Sequence, residues 1–221
     1  MKSSSRQQHP TILLTGFTPF GGETVNPSWQ AVRALDGTVI EGHRVVALEL
    51  PTEFAAALPA LRRALRKAGP RVAIAVGLAG GRDGVSLERV AINVIDARIP
   101  DNAGTQPIDM PVIRGGPAAY FTTLPIKAAL AALQREGIAA HVSQTAGTYV
   151  CNQVFYALMH ATRRRRHLRA GFVHVPWLPE QAARHHAPGM PIEETTRALE
   201  IIVRAALTTS RDAHMSGGAE S

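Results

Sequence analysis

Short apolar runs alternate along this chain with longer stretches whose apolar positions recur at helical spacing. Thr11-Ile12-Leu13-Leu14-Thr15 is a continuous apolar run that ends at Gly16, the pattern of a buried strand. Asn26-Pro27 then supplies an N-cap and a first-turn proline, with Val32 and Leu35 on one face of the helix they open. Residues 44–50 read as a second strand, and a helix follows through Leu58, Leu61 and Leu65 to Gly69-Pro70, disturbed in its pattern by Pro59. Residues 72–76 are apolar throughout, as in a strand covered on both faces, whereas residues 89–94 alternate, as in a half-exposed one. Proline, glycine, Asp101, Asn102 and Asp109 make residues 100–117 a long irregular loop. Helical spacing returns over 124–133, a strand over 138–142, a helix over 149–160, a strand over 171–175 that stops at Pro176, and a last helix over 191–207 with Glu193 and Glu194 in its first turn.

This order, β–α–β–α–β–β–α–β–α–β–α, predicts an α/β fold: a three-layer α/β/α sandwich around a mostly parallel, mixed and twisted central sheet. The chain has 221 residues, 45% of them hydrophobic, enough for one sizeable core. Residues 11–209 are expected to form a single domain between a disordered N-terminal segment, 1–10, and a disordered C-terminal tail, 210–221. The polar start lacks the apolar core of a signal peptide, no stretch approaches the roughly 20 apolar residues of a membrane span, and the one cysteine cannot form an internal disulfide. The expectation is a soluble, cytoplasmic protein that does not engage membranes.

A net charge of +7 raises the question of nucleic acid, and Arg163-Arg164-Arg165-Arg166-His167-Leu168-Arg169 is the obvious basic run. No aromatic residue interrupts it for base stacking, and aromatic content is only 5%. It reads as a solvated connection between a helix and a strand, so no nucleic-acid partner is expected. Lysine stands only at positions 2, 67 and 127, which makes the positive charge look like a general preference for arginine.

Ligands of such sheets gather beyond the carboxyl ends of the strands, which directs attention to Gly16-Phe17, to residues 77–82, to residues 145–151 and to His174-Val175-Pro176. Cys151, the single cysteine, lies in Ala146-Gly147-Thr148-Tyr149-Val150-Cys151-Asn152, where a loop runs into a helix. A helix start favours the thiolate and makes Cys151 a candidate nucleophile, although a lone cysteine is also a common small core residue. His174, at a strand end in the same zone, is placed to take the thiol proton and return it to a leaving group. A third group should orient the imidazole, and spacing does not identify it. Gly16-Phe17-Thr18-Pro19-Phe20-Gly21-Gly22-Glu23 fails as a phosphate loop because Gly22-Glu23 stands where lysine and a hydroxyl residue are needed. His185-His186 is an isolated pair without a metal-binding motif, so neither a metal nor another cofactor is expected.

Four blocks, in order, carry a family resemblance: Leu14-Thr15-Gly16-Phe17-Thr18-Pro19-Phe20-Gly21-Gly22-Glu23-Thr24-Val25-Asn26-Pro27-Ser28-Trp29; residues 77–82 with Glu88-Arg89-Val90-Ala91-Ile92-Asn93; residues 146–152; and Phe172-Val173-His174-Val175-Pro176-Trp177-Leu178-Pro179-Glu180-Gln181. Together they resemble pyroglutamyl peptidase I, a cysteine peptidase family. The resemblance spans about residues 11–207. It implies a triad of Cys151 as nucleophile, His174 as general acid/base and Glu88 as the orienting carboxylate.

The resemblance also implies a substrate, a peptide with N-terminal pyroglutamate. Phe17 and Phe20 would wall the lactam ring, with Thr52, Ile99, Tyr149 and Val150 nearby, Asn26 bonded to substrate, and Arg82 adding positive charge near the oxyanion. The family's relatives commonly assemble as tetramers, and the 100–117 loop is the expected subunit contact. Two positions depart from the family pattern: Leu78 stands where glutamine is frequent, and Tyr149 where phenylalanine is common. The alternatives on the same scaffold are a non-catalytic binder of pyroglutamyl or other lactam groups, another thiol amidase, and a nucleoside phosphorylase-like enzyme.

Overall fold

The computed structural model describes residues 9–218. At its centre β1 (Thr11–Phe17), β4 (Val72–Leu78) and β9 (Arg169–Val175) run side by side and parallel. Every residue of β4 is buried, because helices cover both faces of the sheet, and this is why the stretch is apolar at each position. With β2 (Val39–Ile40), β3 (His43–Leu50), β5 (Val85–Glu88) and β8 (Ala140–Ser143) the sheet has seven strands in the order β2-β3-β1-β4-β9-β5-β8. The β2–β3 and β5–β9 pairs are antiparallel and the rest parallel, so the expected mixed sheet is observed.

Strand alternation sorts the core into two halves. Ile12, Leu14, Ile74, Val76, Val173 and Val175 pack beneath α1 (Pro27–Ala34), α3 (Ile126–Arg135) and α6 (Ile192–Thr208). Leu13, Phe17, Ala73, Ala75, Ala170 and Phe172 pack beneath α2 (Phe54–Ala68) and α4 (Val150–Thr162). The small residues Ala73, Ala75 and Gly77 let α4 approach the middle of the sheet closely. The helix is apolar almost all round, as a helix enclosed on most sides must be. Asn26 caps α1 as its sequence suggested, and Gly69 ends α2 in the left-handed region at φ 52°. Pro59 lies inside α2, which runs through it.

The alternating stretch 89–94 holds the expected half-exposed strand, β6 (Val90–Ile92), buried at Ala91 and half-buried at Val90 and Ile92. It leaves the main sheet to pair with β7 (Ala119–Phe121), while β5 just before it is buried throughout, Ser86 and Glu88 included. A short helix, α5 (Pro179–His185), follows β9 and was not expected.

Residues 1–8 and 219–221, parts of the two segments expected to be disordered, lie outside the described residues. Residues 210–218 form neither helix nor strand, yet they lie against the domain rather than apart from it. Asp212 Oδ1 accepts from Ala128 N at 2.9 Å and Oδ2 from Lys127 N at 3.3 Å. They thereby serve the open N-terminus of α3, whose own N-cap position, Pro125, offers no side-chain acceptor. Gly217 O accepts from Arg89 at 3.1 Å.

Candidate active site

The site lies on the α2/α4 face at the carboxyl ends of β4 and β9. Tyr149 is the N-cap residue of α4, which places Cys151 in its first turn. The turn before it is set by Gly147 at φ 75° and by the Thr145 hydroxyl, which accepts from Gly147 N at 3.0 Å. Asn152, fully buried, locks the helix start to β6: it accepts from Ile92 N at 3.0 Å and donates to the carbonyls of Ile92 and Val94, each at 2.9 Å.

Gly77 is paired in register with His174 across parallel β4 and β9. A methyl group at position 77 would lie 2.9 Å from Cys151 Sγ and 2.8 Å from the Phe172 ring. The missing side chain is therefore the space that the thiol and the ring occupy. Paired residues point to the same face, so the sulfur stands over the face from which His174 projects. The imidazole rests against the Phe172 ring, centroids 4.8 Å apart.

Behind the imidazole stands Glu88. It is directly opposite Phe172 on antiparallel β5, one diagonal step from His174 on the same face. Nδ1 of His174 donates to Glu88 Oε1 at 2.8 Å, a tautomer assigned from the bonding pattern that leaves Nε2 as the basic nitrogen. The same oxygen accepts from Arg82 at 2.7 Å, and the other arm of Arg82 reaches Thr145 O at 3.2 Å, in the turn that leads to Cys151. Glu88 Oε2 is buried without a hydrogen-bond partner. Glu88 is wholly buried, not a solvated acid at a strand start.

Burial works on all three groups. It pushes the Cys151 thiol up to about 12, with the Glu88 charge acting in the same direction; Arg82 and the thiol's own backbone N–H oppose it. The helix start thus acts in the direction expected from the sequence and is outweighed. Burial lowers His174 below the ordinary imidazole value, against the hydrogen bond and charge of Glu88. For Glu88 burial alone would raise the carboxyl, but the bond and charge of His174, the nearby Ser143 hydroxyl and the Arg82 charge together hold it low. The resting state at neutral pH is a thiol, a neutral imidazole and a carboxylate.

The other expected residues fall into three groups. Phe17 is buried beside Phe172, with ring centroids 6.3 Å apart; Phe20 and Tyr149 face each other at the same separation, and Phe54 meets Tyr149 edge-on at 5.2 Å. The Tyr149 hydroxyl donates to Pro100 O at 3.0 Å, which fixes the ring at the rim of the site. Val150 is fully buried in the core and Ile99 is exposed.

Asn26, Thr52 and Arg82 are held by bonds within the protein. Asn26 accepts from Ser28 N and the Ser28 hydroxyl and donates to Thr18 O at 3.1 Å, so it shapes the loop from within. Thr52 ties the same loop down, its hydroxyl donating to Thr18 O at 2.8 Å. Arg82 is ion-paired with Glu88, and its charge also acts on the Cys151 thiol. Leu78, one residue past Gly77, shares the face of Val76, on the opposite side of the sheet from the thiol.

Three contributors had no signal in the sequence patterns. Gly77 stood in the strand-end segment 77–82, with nothing to show that its missing side chain makes room for the thiol. Asp101, buried in the long loop, accepts from Phe54 N at 2.7 Å and so caps α2 from a distance. Glu23, dismissed as an acid unsuited to phosphate, accepts from Gln181 at 2.8 Å, Arg184 at 2.7 Å and His185 at 2.8 Å, anchoring the Phe20 loop to α5. Among the described residues no three His, Cys, Asp or Glu side chains gather to hold a metal ion.

A carboxylate with its imidazole, sealed from water beside a thiol at a helix start, suits acyl transfer through sulfur, the chemistry of thiol-dependent hydrolases. The profile of the pyroglutamyl peptidase family matches residues 10–209, and the chain belongs to that family. It is 56% identical over 209 residues to a pyrrolidone-carboxylate peptidase of Klebsiella pneumoniae, covering 94% of this chain and 98% of the relative. It is 58% identical over 211 residues to that of Chromobacterium violaceum, with the same coverage. Pyroglutamyl peptidase I from Bacillus amyloliquefaciens superposes with a TM-score of 0.91 at 47% identity, covering 94% of this chain and all of that one. A mutant pyrrolidone carboxyl peptidase from Pyrococcus furiosus gives 0.87 at 41% identity, covering 89% and 98%.

Proposed function

We propose that this protein hydrolyses the bond after an N-terminal pyroglutamyl residue of peptides, with Cys151, His174 and Glu88 as its triad. The observation that carries the reading is the buried His174–Glu88 hydrogen bond at 2.8 Å beside a thiol seated over Gly77. The lactam offers no free amine to hold. Phe17 and Phe20, with Tyr149 at the rim, supply an apolar wall for its ring.

As Cys151 Sγ attacks the scissile carbonyl carbon, its proton passes to His174 Nε2, and the carbonyl π electrons move onto oxygen. The backbone N–H groups at the start of α4, with that of Cys151 foremost, stabilise the oxyanion. Glu88 holds the imidazole and supports its positive charge for the lifetime of this intermediate. Collapse re-forms the carbonyl and breaks the carbon–nitrogen bond. His174 gives its proton to the departing amine, and the pyroglutamyl group remains as a thioester. His174 then takes a proton from water, which attacks the thioester carbon. The sulfur leaves, recovers the proton, and 5-oxoproline is released. Because the resting thiol is protonated, sulfur attack and proton transfer are coupled.

The protein acts in the cytoplasm as a homo-oligomer, a tetramer. In support, its one cysteine is free, which suits a reducing compartment, and Ile108, Met110 and Phe121 are exposed on the long loop and β7. The test is release of a fluorogenic amine from a pyroglutamyl conjugate and from an alanyl conjugate, by the native protein and by Cys151→Ala. Hydrolysis of the first alone, absent from the variant, is expected; hydrolysis that survives Cys151→Ala overturns the mechanism.

A further inference from the structure

The end of the sheet opposite the site holds a feature that the peptidase reading leaves unused. The connection from α2 to β4 and the connection from α4 to β9 meet there, at the amino ends of the two strands, where Arg169 N donates to Arg71 O at 3.1 Å. Three hollows adjoin one another along this end. The first, of about 230 Å³, is lined by Arg62, Arg66 and Arg165 beside His160. The second, of about 630 Å³, shares Arg165 with the first and adds Arg71, Arg164 and Arg166. The third, of about 280 Å³, shares Arg71 and Arg166 with the second and ends at Arg169 and Ser210. Together they make one trough, and among the described residues no aspartate or glutamate lines any part of it.

Ordinary explanations cover part of this charge. Arg66, in the last turn of α2, complements the negative end of that helix. Arg71, Arg164, Arg165 and Arg166 belong to the connections and have no such role. Among the described residues none of them is ion-paired, although Arg82, Arg184, Arg197 and Arg204 elsewhere on the molecule all are. All four are exposed. The positive field reaches His160, which burial, then Arg163 and Arg62, hold below the ordinary imidazole value.

We infer that this trough binds inorganic polyphosphate, a linear chain of phosphate groups, held by Arg62, Arg71, Arg164, Arg165 and Arg166; Arg169 at its end is engaged with the carbonyls of Ala206 and Ser210. A trough suits a chain better than a single anion, because its guanidinium groups are strung out across three joined hollows. Among the described residues no aromatic side chain lines it, so there is no platform for bases, and recognition rests on phosphates alone. That favours inorganic polyphosphate over a single-stranded nucleic acid, whose binding draws on base stacking. The trough opens at the opposite end of β4 and β9 from Cys151, so an occupied trough leaves the peptidase site free.

The experiment measures binding of the full-length protein to labelled long-chain polyphosphate, to oligo-dT and to vesicles rich in anionic lipid, from 50 to 200 mM salt. Two charge-matched triple variants are compared: Arg164→Glu, Arg165→Glu, Arg166→Glu in the trough, and Arg33→Glu, Arg114→Glu, Arg135→Glu elsewhere. Circular dichroism and pyroglutamyl hydrolysis confirm that both fold. With about five phosphates neutralised, native affinity for a phosphate chain is expected to fall by roughly 10²-fold across that salt range. The trough variant should lose binding and the control variant should keep most of it. Tight binding of polyphosphate, with oligo-dT bound at least about tenfold more weakly, supports the inference. Equal loss in both variants, no binding at 50 mM salt, oligo-dT bound as tightly as polyphosphate, or binding to vesicles alone overturns it.

Discussion

Gly77 and Cys151 share one volume: the side chain that residue 77 lacks is where the sulfur of residue 151 sits. Since Gly77 is also the register partner of His174, this vacancy brings the thiol over the imidazole's face of the sheet. Gly77→Ala is expected to force Sγ and the Phe172 ring apart, costing about 1–3 kcal/mol of stability. It should depress kcat far more than KM. Thermal unfolding and steady-state kinetics on the same sample check both; a fully active variant would show that the sulfur tolerates displacement.

Glu88→Gln retains the size of the side chain and removes its charge. Without the carboxylate the imidazolium formed during attack loses its support, and kcat is expected to fall by at least about 10²-fold. Arg82 would also lose its partner, so a measurable loss of thermal stability accompanies the kinetic effect. Rescue by Glu88→Asp to near-native kcat would point to charge alone, while continued inactivity would show that the diagonal reach across β5 and β9 matters.

Acid should act on stability and on activity in the same direction. Glu88 and His174 are both held below their ordinary values in the fold. A group with a lowered folded value contributes stability above its unfolded pKa and loses it as pH falls toward the folded one. For His174 that loss starts below about pH 6.5 and for Glu88 below about pH 4.3. Because His174 must be neutral to accept the thiol proton, kcat/KM should show an acid limb below pH 6.5. The thiol, pushed up to about 12, should add no basic limb near neutrality, and iodoacetamide should label the free enzyme slowly at pH 7. Rapid labelling at pH 7 would show that a thiolate is already present.

Glu23→Gln tests the anchor of the Phe20 loop. The native carboxylate is held low by its bonds to Gln181 and His185, against burial and with help from Arg184. Weakening that anchor should loosen one wall of the ring site while leaving the triad intact. KM is expected to rise about three- to tenfold, the net worth of one hydrogen bond, with kcat within about twofold. A fall in kcat at constant KM would assign Glu23 a different part.

Leu78→Gln restores the residue frequent in the family. Since position 78 faces away from the thiol, KM for a pyroglutamyl conjugate should stay within about twofold, and the buried amide should cost about 1–3 kcal/mol. A clear gain in affinity would place the side chain in the ring site after all.

The layered fold was legible because its signals are local. The apolar run at Ile12, the Asn26-Pro27 helix start and the left-handed Gly69 each act within a few residues of themselves. Cys151 and His174 were legible for a related reason: both sit at element ends, where such sheets collect ligands. Glu88 came only through resemblance, because its meaning depends on a diagonal contact between strands 86 residues apart in the chain. The internal bonds of Asn26, Thr52 and Arg82 were not legible, for the opposite reason. Residue type told what each can bond, and only the folded loop shows that those bonds are already made within the protein.

Asp212 completes the first turn of α3 although it follows that turn by 85 residues. On the ribosome, therefore, α3 emerges long before its cap does, and the layer it shares with α6 stays unfinished until residue 212 has followed. A fusion partner joined immediately after Thr209 would leave that layer permanently in its nascent condition, whereas one joined beyond Gly217 would not.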